Sequence, residues 1–431
     1  MNDGASSDQR AEQALVRKVS WRLVSYSLLL FVVAAIDRTN VGFAALEMNR
    51  QLGIGPAEFG FAAGIFFIGY AAFEMPSNYM LSKVGARRWI SRIMISWGIV
   101  VIAMAWIQGA TSFYVFRFLL GVAEAGFLPG ILFYLGHWVP PKYRARTFSI
   151  LLCGPVIANM LAGPIAAAIL SLDGVQGFAG WRLLFIIEGI PAIILGVVSL
   201  WVLTESPSQA NWLSTEEKSV LARASSERGT GRGGGLQAML RNRTVWQLVA
   251  FNFFLQIANY GVNLWLPQII RGMGQLGTTE ASLLSSGPYL LATAGMIVWG
   301  IHSDRTRERR LHMVAAISLA AVGLIMCALF VNPVLAYVGI CLAAVGITSN
   351  FGVFWAVPGE YIDGRAGALG LALISSMGQV GGFVGPYVVG LARAQSQDFT
   401  VALLVLAGAA VVGAIVGLSL SKAPEPKIAT A

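Results

Sequence analysis

Four charged side chains lie inside stretches of sequence that are otherwise almost entirely apolar. Asp37 and Arg38 interrupt the run FVVAAIDRTNVGFAAL, and Arg117 and Glu124 interrupt the run FYVFRFLLGVAEAGFL. A charge at the centre of an apolar layer costs about 2.5–3.5 kcal/mol on insertion scales, so few chains keep one without a use. A buried carboxylate beside an arginine changes its affinity for a proton when its partner or its access to water changes. We therefore interpret Asp37 and Glu124 as proton-coupling candidates; buried ion pairs that only join helices are the alternative.

The spacing of these residues indicates which helical faces they share. Asp37 and Asn40 are three residues apart and lie on one face, whereas Arg38 points elsewhere, toward other helices rather than lipid. Arg117 and Glu124 are seven residues apart, which places them two turns apart on one face. If the two helices meet, their two acids and two bases form a nearly neutral set.

Amide side chains form a second pattern, in the run that begins near residue 245. Their spacings of four, three and four residues place them on one helical face: Asn252, Gln256, Asn259 and Asn263. Amides in an apolar medium must find hydrogen-bond partners, either on neighbouring helices or on a ligand in a wet cavity. The length of the stripe favours a cavity, to which the adjacent Tyr260 could contribute.

Other polar residues in apolar runs give weaker signals. Ser375, Gln379 and Gly382 share a face, and Tyr70 is a polar-tipped aromatic residue. Glu74 and Glu188 are interpreted as structural, because a proline lies close to each. The three histidines fall at helix ends and the three cysteines in apolar stretches, without metal-ligand spacing. We expect no metal and no cofactor.

The elements that must position these residues are membrane-spanning helices. Hydrophobic residues make up 56% of the 431 residues and charged residues only 12%, far from the composition of a soluble domain. A spanning helix needs about 20 mostly apolar residues. Twelve such runs are predicted at 21–46, 57–81, 89–109, 112–137, 144–171, 181–203, 245–271, 281–302, 312–331, 334–359, 366–393 and 398–421.

The distribution of basic residues predicts the topology. With the N-terminus inside, 24 of the 30 Lys and Arg fall in inner segments and four in outer ones, which also accounts for the net charge of +9 without nucleic acid. The predicted organisation is a cytoplasmic segment 1–20, a six-helix bundle 21–203, a cytoplasmic loop 204–244, a second bundle 245–421 and a cytoplasmic tail 422–431. The segments NYMLSKVGARR and GIHSDRTRERR form a weak repeat that supports two related halves.

Several motifs resemble the major facilitator superfamily, and within it the anion:cation symporter family. The matching stretches are IDRTNVGFA, SKVGARRW, RFLLGVAEAGFLPG, GWRLLFIIEGIPA, YGVNLWLPQII and GALGLALISSMGQVGGFVGPYVVG, which together cover nearly the whole chain. The second-half motifs are most similar to tartrate, phthalate and 4-hydroxyphenylacetate permeases. The resemblance implies an all-α membrane protein of twelve helices in two pseudo-symmetric six-helix bundles, with both termini cytoplasmic.

The resemblance also implies roles for individual residues. Asp37 and Glu124 match the family's proton-coupling carboxylates, Arg38 and Arg117 match arginines that hold a substrate carboxylate or gate the cavity, and Tyr70 matches a substrate-contacting tyrosine. The full substrate-binding set expected is Arg38, Arg117, Tyr70, Asn40, Gln256, Asn259, Tyr260, Ser375 and Gln379. The residues expected to act in gating or structure are Asp304, Arg305, Arg87 and Arg88. One departure is Ser82, which stands where the superfamily's first-half loop usually has an acid, whereas the copy at Asp304 is intact.

The function expected from these features is proton-coupled uptake of a small organic anion by alternating access. The anion could be a hydroxy-dicarboxylate, a sugar acid or an aromatic carboxylate. The expected partners are this anion, protons and the lipid bilayer of the inner membrane, with no nucleic acid, and the protein is expected to be monomeric. An exchanger or exporter on the same fold is the first alternative. A membrane-embedded enzyme is the second, although the helices show no nucleophile–base pair.

Overall fold

The computed structural model describes residues 12–226, 240–274, 276–358, 364–396 and 398–420. Outside this description lie residues 1–11 of the predicted N-terminal segment, the whole predicted tail 422–431, residues 227–239 of the predicted central loop, and residues 359 and 421 at the ends of two predicted helices. Within it, twelve long helices follow one another as predicted. They are α1 (Glu12–Leu52), α2 (Pro56–Val84), α3 (Ala86–Trp106), α4 (Ala110–Trp138), α5 (Lys142–Leu170), α6 (Gly180–Val202), α7 (Arg243–Gly272), α8 (Thr278–Thr306), α9 (Arg309–Leu329), α10 (Pro333–Phe354), α11 (Gly364–Gln395) and α12 (Thr400–Ser419).

Most of these helices are long and apolar enough to cross a membrane. Ten meet that requirement by length and composition. The remaining two, α7 and α11, have 30 and 32 residues, so each extends about 45 Å or more along its axis. They are the helices that carry the amide stripe and the glycine-rich run, which lower their hydropathy without shortening them. The prediction of a twelve-helix membrane protein is confirmed.

Local sequence signals set where several helices begin. Pro56 starts α2, and the Glu58 carboxylate accepts a hydrogen bond of 2.8 Å from the backbone N–H of Gly55. Asn332 precedes Pro333 and caps α10, with its Oδ1 accepting from two backbone N–H groups at 2.9 and 3.3 Å. Both starts combine a proline in the first turn with a side-chain oxygen that satisfies free N–H groups.

The first half packs through glycines that bring helix backbones close together. A Cβ atom at Gly98 of α3 would lie 2.9 Å from the carbonyl oxygen of Gly189 on α6, and one at Gly121 of α4 would lie 2.0 Å from that of Phe66 on α2. Small residues at helix interfaces are typical of membrane proteins, where packing rather than a hydrophobic effect joins the helices. The contact at Gly121 brings the Arg117–Glu124 segment of α4 directly against α2.

The two halves contact each other through one end of the bundle, here called the closed end. Backbones of α2 and α11 meet at Gly60 and Gly390, where an added Cβ would approach the opposite Cα to 3.0 Å. In the same region, Thr278 Oγ1 of α8 donates to Glu47 Oε1 of α1 at 2.6 Å, and Arg271 of α7 donates to the carbonyl oxygen of Leu46 at 2.7 Å. The far end of α2 is uncovered, and Met75 there is 81% exposed. The halves therefore meet at one end and expose α2 at the other.

The start of the central loop folds back onto the first half. A short helix, Thr215–Ser226, begins with a reciprocal cap: Ser214 Oγ accepts from the backbone N–H of Glu217, and the Glu217 carboxylate accepts from that of Ser214. Glu217 also pairs with Lys18 of α1 at 2.8 Å. Upstream of this short helix, Trp212 stacks on Trp138 of α4 with ring centroids 5.5 Å apart. This part of the loop is thus attached to the ends of α1 and α4.

Candidate functional site

The charged residues of α1 and α4 do meet, through an ion pair between Arg38 and Glu124. Arg38 Nη2 lies 2.7 Å from Glu124 Oε2. The Glu124 side chain is 1% exposed and that of Arg38 is 18% exposed, so the pair is buried but reachable from the arginine side. Glu124 Oε1 is buried without a hydrogen-bond partner. The sequence placed both residues inside apolar helices, but the choice of partner depends on helix rotation and comes from the structure.

Arg117 lies against α2 instead of facing open space. Its Nε and Nη2 donate to the carbonyl oxygens of Ala62 and Ala63 at 3.4 and 3.2 Å, and its guanidinium carbon lies 5.0 Å from the Phe66 ring centroid. The side chain is fully buried, and Nη1 has no hydrogen-bond partner. Backbone carbonyl groups of α2 therefore hold Arg117, whereas Glu124 on the same helix pairs with Arg38 of α1. In this conformation Arg117 is not accessible to an anion.

Asp37 occupies a separate position, on the side of α1 that faces α3 and α6. Its Oδ2 accepts a hydrogen bond of 2.8 Å from Trp97 Nε1 of α3, while Oδ1 is buried without a partner. The charged groups that interact with it are carboxyls, first that of Glu188 on α6 and then that of Glu124. Asp37 is thus a fully buried acid whose one hydrogen-bond partner is the neutral Trp97.

Asn40 lies on the same face of α1 as Asp37, as predicted from their spacing. Its side chain is within interaction range of the Glu188 carboxyl but not in good hydrogen-bonding geometry. Both polar atoms of Asn40 and one carboxyl oxygen of Glu188 are buried without hydrogen-bond partners. Glu188, interpreted from sequence as structural, therefore belongs to a cluster of unsatisfied polar groups around Asp37.

Aromatic rings surround the accessible side of Arg38. Its guanidinium carbon lies 5.2 Å from the Phe66 centroid and 5.5 Å from that of Tyr70, both on α2. Tyr260 of α7 packs on Phe67 with ring centroids 4.2 Å apart, which places a residue of the second half beside this group. The structure thus brings Arg38, Tyr70 and Tyr260 together, as the predicted binding set requires.

The amide stripe of α7 divides into two functional parts. Asn252 is fully buried and donates to the carbonyl oxygen of Ile374 on α11 at 2.9 Å, so it joins helices. Asn259 donates to Gln256 on its own helix at 3.2 Å. Asn263 donates to Tyr289 Oη of α8 at 2.7 Å and contacts Asn159 of α5 at 3.4 Å. Asn252, at one end of the stripe, joins α7 to α11 of the same half. Asn263, at the other end, contacts the opposite half.

The predicted residues of α11 lie near the same interface. Ser375 and Gln379 are half-buried. Gly378 and Gly381 let α11 approach α7, since an added Cβ would come within 2.3 Å of Asn252 Nδ2 and 2.4 Å of the carbonyl oxygen of Phe253. This close approach places α11 beside Gln256.

The predicted gating residues lie away from this centre. Arg87, Arg88 and Arg305 are exposed, and Asp304, itself 74% exposed, lies 3.6 Å from Arg309 of its own half. The Glu205 carboxylate, after α6, accepts from the backbone N–H of Ala86 at 2.6 Å at the start of α3. An acid from the start of the central loop thus contacts the connection between α2 and α3, where Ser82 stands in place of the family's usual acid.

Sequence reasoning missed several residues that the fold brings together. Trp97, Asn159 and Tyr289 each sit singly in an apolar run, which gives no periodic signal. His302 and His312, interpreted as unrelated surface residues, have ring nitrogens 2.7 Å apart across the turn between α8 and α9. Only the pairing of helices reveals these contacts. Among the described residues, no group of three or more His, Cys, Asp or Glu side chains could hold a metal ion.

The fold and the polar centre between two six-helix halves define a transport protein of the major facilitator class. The chain belongs to the Major Facilitator Superfamily, whose model matches residues 27–386 and 275–431. It is a multi-pass membrane transporter and not an enzyme.

Individual relatives are similar over nearly the whole chain. A protein of Agrobacterium vitis named "Putative tartrate transporter" is 41% identical over 97% of this chain and 94% of its own length. A "Quinolone resistance transporter" of Acinetobacter baumannii is 37% identical over 92% of each chain. Among solved structures, a D-xylose–proton symporter matches with a TM-score of 0.77 at 14% identity, over 94% of this chain and 98% of that one. The last likeness shows the shared fold.

Proposed function

We propose that this transporter carries a small organic anion together with protons, by alternating access between its two halves. The Arg38–Glu124 pair is the observation that carries the proposal. It is buried between aromatic rings, its arginine is partly accessible, and a residue of the second half lies beside it. A guanidinium is well suited to bind a carboxylate through two parallel hydrogen bonds.

Competition for Arg38 would couple the anion to a proton. When a substrate carboxylate takes Arg38, Glu124 loses its cationic partner while it stays almost fully buried. An unpaired carboxylate in an apolar site is costly, so it takes up a proton instead. Anion and proton therefore bind together, and release of one favours release of the other.

Asp37 would supply a second proton site. It is fully buried, its hydrogen-bond donor is the neutral Trp97, and its charged neighbours are other carboxyls. A buried acid whose one hydrogen bond comes from a neutral donor is suited to carry a proton, and we propose that Asp37 does so. Loss of that proton requires a rearrangement that brings water or a cation to α1.

Separate observations support the proposed substrate class and the proposed orientation in the membrane. Relatives named for tartrate, at 41 and 42% identity, favour a hydroxy-dicarboxylate over an aromatic carboxylate. We infer that the closed end faces outward, because the predicted topology assigns only four of the 30 Lys and Arg to that side: Arg50, Arg182, Arg271 and Arg393. The conformation described here is then inward-facing in the inner membrane, which in the proposed cycle is the state that releases the anion to the cytoplasm.

The test is tartrate uptake into proteoliposomes with an imposed pH gradient, acidic outside. We expect accumulation that an uncoupler abolishes, and we expect Asp37→Asn to lose accumulation while it retains tartrate counterflow. The amide keeps an acceptor for Trp97 but cannot carry the proton. Uptake that ignores the uncoupler at clamped membrane potential would exclude symport.

An exporter on the same fold is the second candidate, favoured by the similarity to a relative named for quinolone resistance. The same proteoliposomes distinguish the two. An exporter that exchanges protons for substrate would accumulate its substrate when the vesicle interior is acidic, whereas a symporter needs the opposite gradient.

A further inference from the structure

A small polar recess lies between the two halves, separate from the arginine site. It is bordered by Thr39 of α1, Asn159 of α5, Asn263 of α7 and Tyr289 of α8, and it has room for little more than one water-sized group. Two of these helices belong to the first half and two to the second. Neither the family match nor the relatives assign a role to this recess.

The hydrogen bonds around Asn263 leave one polar end unused. Its Nδ2 donates to Tyr289 Oη at 2.7 Å and lies 3.4 Å from Asn159 Oδ1, while its Oδ1 is buried without a partner. If the amide turns over, Oδ1 accepts from the Tyr289 hydroxyl and the NH₂ group is the unpaired end. In either orientation the amide offers one unsatisfied group. A hydroxyl fits both cases, because it donates and accepts.

Spacing along α7 and α1 relates the recess to the arginine site. Asn263 follows Tyr260, which interacts electrostatically with Arg38, by three residues on α7. Three residues of helix rise about 4.5 Å, and Thr39 follows Arg38 directly on α1. A ligand whose carboxylate pairs with Arg38 would therefore present to the recess a group about one helical turn away, within the length of a short aliphatic acid.

We propose that Asn263, with Asn159 and Tyr289, forms a subsite that binds an aliphatic hydroxyl of the transported anion. The subsite selects hydroxy acids over their deoxy analogues, and its size excludes an aromatic ring. This inference rests on the proposed transport of an organic anion and specifies the class of that anion. Because Asn159 belongs to the first half and Asn263 to the second, the subsite is complete only when the closed end is closed.

Paired ligands test the subsite. Tartrate and succinate differ by two hydroxyls, and gluconate and hexanoate by five. Dissociation constants are measured by calorimetry on the purified protein at pH 5.5, for wild type, Tyr289→Phe and Asn263→Leu. We expect wild type to favour the hydroxylated member of at least one pair. Each variant should weaken binding of that member about tenfold, as for one lost hydrogen bond, and leave the deoxy member within twofold.

Tyr337→Phe is the matched control. It also removes a single tyrosine hydroxyl, which donates to the carbonyl oxygen of Leu284 at 2.8 Å outside the recess. It should leave the preference unchanged. Three results would overturn the proposed subsite. Wild type could bind both members of every pair with equal affinity, it could bind neither member, or the variants could lose affinity equally for both members. A preference for the hydroxylated ligand without proton-driven uptake would support the subsite and reject symport. Proton-driven uptake without that preference would support symport and reject the subsite.

Discussion

Replacing Glu124 with glutamine separates the two functions of the Arg38–Glu124 pair. The amide keeps an oxygen that can accept from Arg38 Nη2, but it removes the negative charge from a side chain that is 1% exposed. Breaking one side of a buried pair typically costs 2–5 kcal/mol. Since the Arg38 side chain is 18% exposed and can be partly hydrated, we expect the lower part of that range, about 2–3 kcal/mol.

A bound anion should reverse this loss in Glu124→Gln. Its carboxylate replaces the missing partner of Arg38, and at 100 times its dissociation constant a ligand adds about 2.7 kcal/mol to the stability. In wild type, anion binding must also place a proton on Glu124. Once the pH is high enough that free Glu124 is ionised, the affinity for the anion should fall by up to about tenfold per pH unit. In the variant no proton is needed, and affinity should be flat.

The assay is thermal unfolding in detergent and tartrate calorimetry between pH 5.5 and 8, with Glu58→Gln as the control. Glu58 caps α2 at the closed end. A glutamine side chain can make the same capping hydrogen bond, so Glu58→Gln should leave the stability nearly unchanged. A Glu124→Gln protein as stable as wild type, with an affinity that still falls as pH rises, would refute the competition for Arg38.

Three further predictions concern other parts of the fold. Arg117→Ala should lower stability by about 3 kcal/mol or more in thermal unfolding with or without tartrate, because its guanidinium is fully buried against α2; unchanged stability with lost binding would instead make it a direct ligand. Glu47→Gln should raise labelling of a cysteine introduced at the closed end several-fold, whereas Arg50→Ala, which removes only a contact within α1, should not; equal labelling in both would show that the link to α8 does not hold this end closed. The hydrogen bond from Lys18 lowers the pKa of the Glu217 carboxyl below its ordinary value of 4.5, so this contact contributes stability above that value and loses it as pH falls through the lowered pKa. Trp212 fluorescence should therefore be constant from pH 5 to 8 and change only in stronger acid. The stability lost with the contact should be no more than about 1 kcal/mol.

The helices could be predicted from sequence because lipid imposes a length and a composition on each of them. All twelve runs are found, and the main discrepancy is α1, which begins at Glu12 instead of residue 21. Residues 12–20 are too polar to be recognised as part of a span. Their helix continues out of the apolar layer, where no hydropathy signal marks its start.

Partners within the site could be predicted only in part. The buried charges could be identified because a charge in an apolar helix raises the free energy of the folded protein. The shared face of Asp37 and Asn40 follows from helical periodicity. Which helix meets which face depends on rotation and packing, as at Gly121, where α4 touches α2. Spacing along α4 therefore could not show that Glu124 would bind Arg38 across helices, or that Trp97 would reach Asp37.

The glycine contact at the closed end has a consequence for the speed of the empty carrier. Where Gly60 meets α11, the surfaces are backbone, and a methyl group there would lie 2.5 Å from the carbonyl oxygen of Pro386. Glycine has no side chain to immobilise, so rejoining this surface orders no rotamers. In the proposed transport cycle, the two halves must separate and rejoin at this backbone surface when the empty carrier returns. An alanine at Gly60 would hold the surfaces apart and slow that step.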